Sequence, residues 1–534
     1  MRSRKITAAL LALVMLCGLF AACGGENEQS AQSSSAAESA AGGVSAEQSG
    51  TPVSEEESLT PEEIYNVYFG SDYEGSTFTI LTSDNDTEPP SDIVYNTEPK
   101  NGETLPDAIN NALLERQNTL RSRLGVELKE VYFCDPQRRW SAALDKVRRA
   151  IESGSDEFQA INIALYDCGT LSLEDGLYNL YDVPGLDVSN PWWDQTFNNS
   201  VEMFGKLFFT NGDIAFRTKN AITCIIYNRS LIERLGAEDP VKLTLDYKWT
   251  MDKCVEISRC LSEDLNDDGM DYLDKIGWAG QYDDMALMIY GSGVRILGTD
   301  PQGRPKLTFY DEKTEDIVNK VLRFMVDSEH YISGNDLWYK TPWPTEPMLA
   351  LLDNFIHGRH IFYAAIVEYI FKLGDMEDSF AIVPAPMYDE EQGEYYSLLN
   401  SFGANAIAVA QNVDPDDLQF VGRVLDTLGY LSWSQYPNSL AFNYYDVVLK
   451  SQKLTDEECE KMIDVIFNTA GCETGAIYQV GKIGGSGKTV YDLLVELASA
   501  KRTEGLAALY DANAERLQES LDDIITTFDG NTQK

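Results

Sequence analysis

Residues 107–124, DAINNALLERQNTLRSRL, run into Gly125 and then into VELKEVYF at 126–133. The first stretch spaces its apolar side chains for an amphipathic helix, and Gly125 supplies the left-handed residue that closes one. The second is rich in β-branched and aromatic residues and reads as a strand. Working outward, STFTILT at 76–82 reads as a strand, Gln137–Ser153 as a helix and Ala160–Leu165 as a buried strand. Strand, helix, strand, helix, strand with helical spacers is the pattern of a parallel α/β sheet.

The pattern recurs. Ala221–Tyr227 is a very apolar strand, followed by helices at Ser230–Leu235 and Met251–Ser262. Glu312–Ser328 and Pro415–Leu431 read as helices, and His360–Ala365, Phe380–Val383 and Ala404–Ala410 as strands. The last hundred or so residues are mainly helical.

The N-terminal stretch is of another kind. Arg2, Arg4 and Lys5 precede an apolar run from Ile6 to Phe20, then Ala21-Ala22-Cys23. That layout is a leader whose apolar core is too short to serve as a lasting anchor. With Cys23 directly after the small residues, it resembles a bacterial lipoprotein signal. The resemblance implies that 1–22 are removed and that Cys23 carries lipid. Residues 24–58 hold Ser, Ala, Gly, Glu and Gln without an aromatic, so 23–59 is expected to be a disordered tether. The folded body is expected from Thr60-Pro61-Glu62-Glu63 onward.

Composition excludes whole classes of partner. The 534-residue chain carries a net charge of −44, which repels nucleic acid and anionic membrane surfaces alike. No stretch beyond the leader reaches the length of a membrane-spanning helix. Beyond Cys17 and Cys23, Cys134, Cys168, Cys224, Cys254, Cys260, Cys459 and Cys472 are odd in number and lack metal-ligand spacing, so free thiols are expected. His330, His357 and His360 lack a third ligand nearby and suggest no metal site.

A family resemblance rests on landmarks kept in order over most of the chain. They are Gly205-Lys206-Leu207-Phe208-Phe209, Ile225-Ile226-Tyr227-Asn228, Leu235-Gly236 and Trp249-Thr250-Met251-Asp252. Gly358-Arg359-His360-Ile361-Phe362, Phe380–Pro386 and Asn405–Val409 follow. Together they resemble the extracellular solute-binding proteins of ABC importers, in particular the maltose-binding-like family. Cys224 and Arg234 depart from the family's short signature.

The resemblance implies an α/β, two-lobe periplasmic-binding-protein-like (type II) fold with an interlobe cleft. The first lobe would be 60–220 with 405–455, and the second 221–404 with 456–530. Chain crossings fall near 218–224 and 400–407, with Gly403 as a hinge residue. It further implies capture of a solute by hinge closure, delivery to ABC permease subunits, no catalysis, and a lipid-anchored place on the extracellular face of the cell membrane. Cleft positions by resemblance are Tyr166, Asp167, Asn211, Asp213, Glu368 and Tyr369.

Sugar rings offer apolar C–H faces and a rim of hydroxyls, so aromatic stacking with carboxylates at the edge is the expected chemistry. Trp192, Trp193, Trp278, Trp338, Tyr339, Trp343 and Trp433 are the stacking candidates. A neutral carbohydrate is the expected solute, since an acidic surface does not steer acidic sugars. A surface glycosidase or an adhesion lipoprotein on the same fold is the alternative.

Two further motifs invite function. Asp264, Asn266 and Asp268 with Gly269 have the spacing of a calcium loop, although Lys275 stands where a bidentate acid belongs. A structural calcium is therefore the one cofactor considered. KIGGSGKT at 482–489 has the tail of a phosphate-binding loop, but Lys482 replaces its first glycine, and a plain loop is expected.

Overall fold

The structure, a computed structural model, describes residues 67–70, 73–83, 88–134, 141–301, 303–338, 340, 346–454 and 456–530. The leader, Cys23, the 23–59 tether and the start of the body at Thr60 lie outside the described residues, as do Tyr339 and Trp343.

The chain opens with β1 (Ser76–Thr82), α1 (Asp107–Leu124), β2 (Val126–Tyr132), α2 (Ala142–Ser153), β3 (Ala160–Ala164) and α3 (Leu165–Leu173). A short helix α4 (Arg217–Asn220) leads into β4 (Thr223–Asn228). Next come β5 (Lys275–Gly280), α5 (Asp284–Gly291), β6 (Tyr331–Ser333), β7 (His360–Ile366) and β8 (Phe380–Val383). β9 (Asn405–Ala408) and α6 (Leu418–Ser432) precede a π-helix at Asn443–Lys453. Helices α7 (Glu457–Asn468), α8 (Val490–Ser499) and α9 (Leu506–Gly530) complete the chain.

Two sheets result. The first has the order β9-β3-β1-β2, with β1, β2 and β3 parallel and β9 returning antiparallel to β3. The second has the order β8-β4-β7-β5, extended by the short strand Ser262–Glu263, with β6 also paired to β5. The opening stretch behaves as its sequence dictates: Gly125 ends α1 at φ 74°, its N–H donating to the Arg121 carbonyl.

The second sheet is mixed rather than parallel. β5, β6 and β7 run together, whereas β4 runs opposite to β7 and β8. The reason is the route of the chain. β4 enters from the first sheet at the edge where β7 ends, Thr223 pairing with Ile366, so it must run the other way.

Each sheet has its own aromatic packing. Tyr68 stacks on Tyr430 at 4.6 Å beside Trp192 in the first lobe. In the second, Trp249 and Trp278 tilt against Phe362 at 5.7 and 5.5 Å. The C-terminal region does not stay with one lobe, in contrast to the expected division. Arg229 of the second lobe pairs with Asp456 and Glu458 at 3.0 and 2.8 Å. Thr474 and Tyr478, however, donate to the Ser200 and Val201 carbonyls of the first lobe at 2.7 and 2.8 Å. Phe528 of α9 packs on Phe208. A long C-terminal segment therefore buries apolar side chains against whichever surface it passes.

Candidate functional site

The crossings show which edges face each other. Thr218 Oγ1 donates to the Asn405 carbonyl at 2.7 Å, where β9 leaves the carboxyl edge of the first sheet. Val367 N donates to Ile222 O at 2.9 Å, and Asn400 N to Ala221 O at 3.0 Å, at the carboxyl edge of the second. Open α/β sheets bind ligands outside the carboxyl ends of their strands. Here two such edges are joined by the same short segments, so the gap between them is the candidate cleft. Gly403 has no steric need to be glycine, since an added Cβ would meet nothing nearer than Ala221 Cβ at 3.6 Å.

Three unpartnered polar groups near these edges are linked electrostatically, Asp283 acting on Tyr166 and Tyr166 on Tyr491. Tyr166 lies in the first turn of α3, directly after β3. Asp283 is the residue before α5, directly after β5, and its side chain does not cap that helix. Tyr491 lies in the first turn of α8, which packs against α5. Among the described residues, neither phenol hydroxyl nor the Asp283 carboxylate has a hydrogen-bond partner. Tyr166 and Tyr491 keep part of their surface open and Asp283 is exposed, as expected of groups lining a concavity.

Their electrostatics link the lobes. Burial raises the Tyr166 phenol, and the negative charges of Asp283 and Asp492 raise it further. Although the residue is exposed overall, the groups packed around its carboxyl desolvate it enough to raise Asp283, with Asp492 adding to it. Tyr491 is raised by burial first, then by Glu473 and Tyr166. Both phenols therefore stay neutral donors, and Asp283 gains from any donor brought to it. The arrangement suits a ligand bearing several hydroxyls.

Most of the residues singled out from sequence are occupied elsewhere. Trp192 and Trp193 are 5% and 2% exposed, and both indole N–H groups donate to Asp426 Oδ1, at 3.0 and 3.1 Å. Trp278 is fully buried, its Nε1 donating to Asp284 Oδ2 at 2.9 Å. Rings enclosed on both faces cannot stack a sugar, so these three are core residues. Trp433 packs against Trp192 at 6.0 Å, while Trp338 is 40% exposed.

Asp167 also turns away from the cleft. It lies buried, and burial raises it to about 6 against the lowering influence of Ser141 and the Leu144 N–H at the start of α2. Asn211 is buried, and its carbonyl accepts from Asp194 N at 2.9 Å. Asp213 is committed to Lys219 Nζ at 2.8 Å and Ser434 N at 3.2 Å. Glu368 faces Lys372 at 3.7 Å, and Tyr369 packs on Tyr363 at 5.7 Å, both just past the end of β7. Of the expected cleft residues, Tyr166 joins the three-group cluster.

Asp283 and Tyr491 escape sequence reasoning because β5 is masked by glycines, KIGWAG, and because Tyr491 follows the rejected loop. That loop is a hairpin: Lys482–Ile483 pairs with Ser486–Gly487 across Gly484 and Gly485, at φ 56° and 77°. Thr489 then opens α8 in a capping box with Asp492.

The acidic loop satisfies itself. Asp264 accepts from Asn266, Asp267 and Gly269 N–H groups at 3.2, 2.7 and 2.8 Å, and the Gly269 bond leads in holding its carboxyl below the usual range. Asn266 Oδ1 accepts from Asp268 N at 3.3 Å. Among the described residues no three His, Cys, Asp or Glu side chains gather as a metal site.

No protein-family model matches the sequence, and no curated protein matches it. Solved structures do. The GacH receptor of Streptomyces glaucescens, solved unliganded and with acarbose, is similar over 83% of this chain and 99% of its own, at 14% identity and TM-score 0.51. The fold is that of two-lobe solute-binding proteins. An ABC substrate-binding protein from Listeria monocytogenes, solved with cycloalternan, covers 85% of this chain and 99% of its own at 12% identity and TM-score 0.49. A cyclo/maltodextrin-binding protein complexed with maltotetraose covers 87% and 99% at 11% identity and TM-score 0.49. Among the described residues no helix is long and apolar enough to cross a membrane.

Proposed function

We propose that this chain is the substrate-binding component of an ABC importer, held at the extracellular face of the cell membrane by lipid on Cys23. It captures a neutral saccharide between its lobes by hinge closure and presents the closed form to permease subunits, without catalysing a reaction. The observation that carries this reading is the trio of unpartnered groups, Tyr166 just after β3, Asp283 between β5 and α5, and Tyr491 in the first turn of α8. Two phenols and a carboxylate offer donors, acceptors and apolar ring faces together, which is what a polyhydroxylated ring requires. The similarity to proteins solved with sugars supports the class of solute. A thermal-shift screen against neutral saccharides, amino acids and peptides tests it. A saccharide should raise the unfolding midpoint by mass action. A shift with peptides and none with sugars would overturn the solute, and no shift with any class would overturn the trap.

A further inference from the structure

The third connection between the lobes, after the crossings at α4 and β9, is a π-helix. Residues Asn443–Lys453 join α6 of the first lobe to α7 of the second. π-Helices are rare, occur mostly as single turns, and favour functional positions. Eleven consecutive residues in that state therefore need a cause.

The side chains supply one. Tyr445 donates its hydroxyl to Asp464 Oδ1, and Lys450 Nζ reaches the same oxygen at 2.7 Å. Lys450 also lies over the Tyr445 ring, 4.5 Å from its centroid. Tyr445 and Lys450 are five residues apart. In an α-helix, at about 100° per residue, they would point about 140° apart and could not share one carboxylate. Pairing of i with i+5 stacks them on one face instead. Two more bonds follow the same spacing: Ser451 Oγ donates to Asp446 O at 2.7 Å, and Leu454 N to Leu449 O at 3.0 Å.

The two ends hold different bodies. Tyr444 stacks on Phe216 at 4.8 Å and donates to Asn220 Oδ1 at 2.7 Å, gripping the crossing that contains α4. Asp464 belongs to α7, and Lys453 lies over Phe371 of the second lobe at 5.7 Å. Conversion to i,i+4 pairing would lengthen the segment, rotate its side chains and release Asp464.

We propose that the π-helix is a register switch in the hinge: Asp464 holds the wide register, and a change of lobe angle is accompanied by its conversion to α-helix. The proposal rests on the hinged-trap reading for its purpose but is tested without a solute, so its failure leaves that reading standing. The test uses the full chain carrying a fluorophore pair on non-natural residues at the exposed positions 115 and 247, with hydrogen exchange read over 444–453. Asp464→Ala should speed exchange there by about tenfold or more and shift or broaden the interlobe distance distribution. Lys461→Ala, which breaks only an exposed pair with Glu457 on the same helix, should do neither. Faster exchange with an unchanged distance distribution would make Asp464 a local clamp and overturn the switch, as would no change in either. Should Asp464→Ala fail to fold, Tyr445→Phe must give a smaller change of the same kind in both readouts, and its absence overturns the proposal.

Discussion

Two regions pair aromatic rings with an aspartate, and they could hardly differ more. In the cores, Trp278 closes on Asp284, and Trp192 and Trp193 close on Asp426, every indole N–H satisfied. At the candidate site, Asp283 acts on Tyr166 and Tyr166 on Tyr491, with neither phenol hydroxyl satisfied among the described residues. The cost of an unmade hydrogen bond explains the contrast. A buried polar group without a partner costs about 1–3 kcal/mol, so a fold keeps few of them, such as His360 Nε2 and Asn412 Oδ1, and one that a ligand can reach recovers that cost on binding. Satisfied pairs report on stability and unsatisfied ones on binding.

The sharpest way to break this comparison is Trp278→Ala. It removes a fully buried ring and one of the donors to Asp284 Oδ2, leaving Tyr331 as the other, and should cost about 3–5 kcal/mol in denaturant unfolding. A loss below about 1 kcal/mol would mean the ring is not core.

The core acids also give stability a pH course. Burial raises Asp284 and Glu473 to about 7, and Asp426 and Asp167 to about 6. Unfolded carboxyls titrate near 4, so between about 4 and 7 the native state binds more protons. Stability should therefore fall as pH rises through that window. His360, lowered to about 4 by burial, opposes this up to about 6.5, but it is one group against four. Asp284→Asn should flatten the slope measured by unfolding at a series of pH values. An unaltered slope would show that Asp284 titrates normally.

Cleft substitutions should do the reverse. Asp283→Asn removes a charged acceptor and should weaken binding of the saccharide found by screening about tenfold to a hundredfold. Unfolding stability should hold, because the charge relieved is repelled by Asp492. Tyr491→Phe deletes one hydroxyl and should cost binding about 0.5–1.5 kcal/mol by calorimetry, again with stability unchanged. Lost stability with unchanged affinity in either variant would erase the distinction between the regions. The smallest effect belongs to the acidic loop: calcium should leave the unfolding midpoint unaltered, since backbone N–H groups already engage Asp264.

Legibility followed the range of the interaction. β1, α1, β8 and the Gly125 cap stand where local pattern puts them, because periodicity and φ preference act within a few residues. β5 was hidden by its glycines, which are forced by close neighbours. A Cβ on Gly277 would sit 1.9 Å from the Ser258 carbonyl oxygen, and one on Gly280 1.8 Å from Asp284 Oδ2. The candidate site suffered the same blindness. Tryptophans beside acids looked like sugar platforms, yet the acids bind the indole edges and the neighbouring rings cover the faces.

By itself, the sequence determined the alternation of strands and helices, the acidic surface that repels nucleic acid, and the ordered landmarks of two lobes. The first depends on local pattern and the second on summed charge, whereas the two-lobe landmarks rest on a family resemblance. Only the tertiary structure decided which aromatic–acid pairs are closed and which are open. It also decided that Asp283 and Tyr491, far apart in the chain, are both coupled electrostatically to Tyr166, and that a π-helix runs over Asn443–Lys453. Those outcomes depend on which polar groups find partners across long stretches of chain, and no local pattern encodes that.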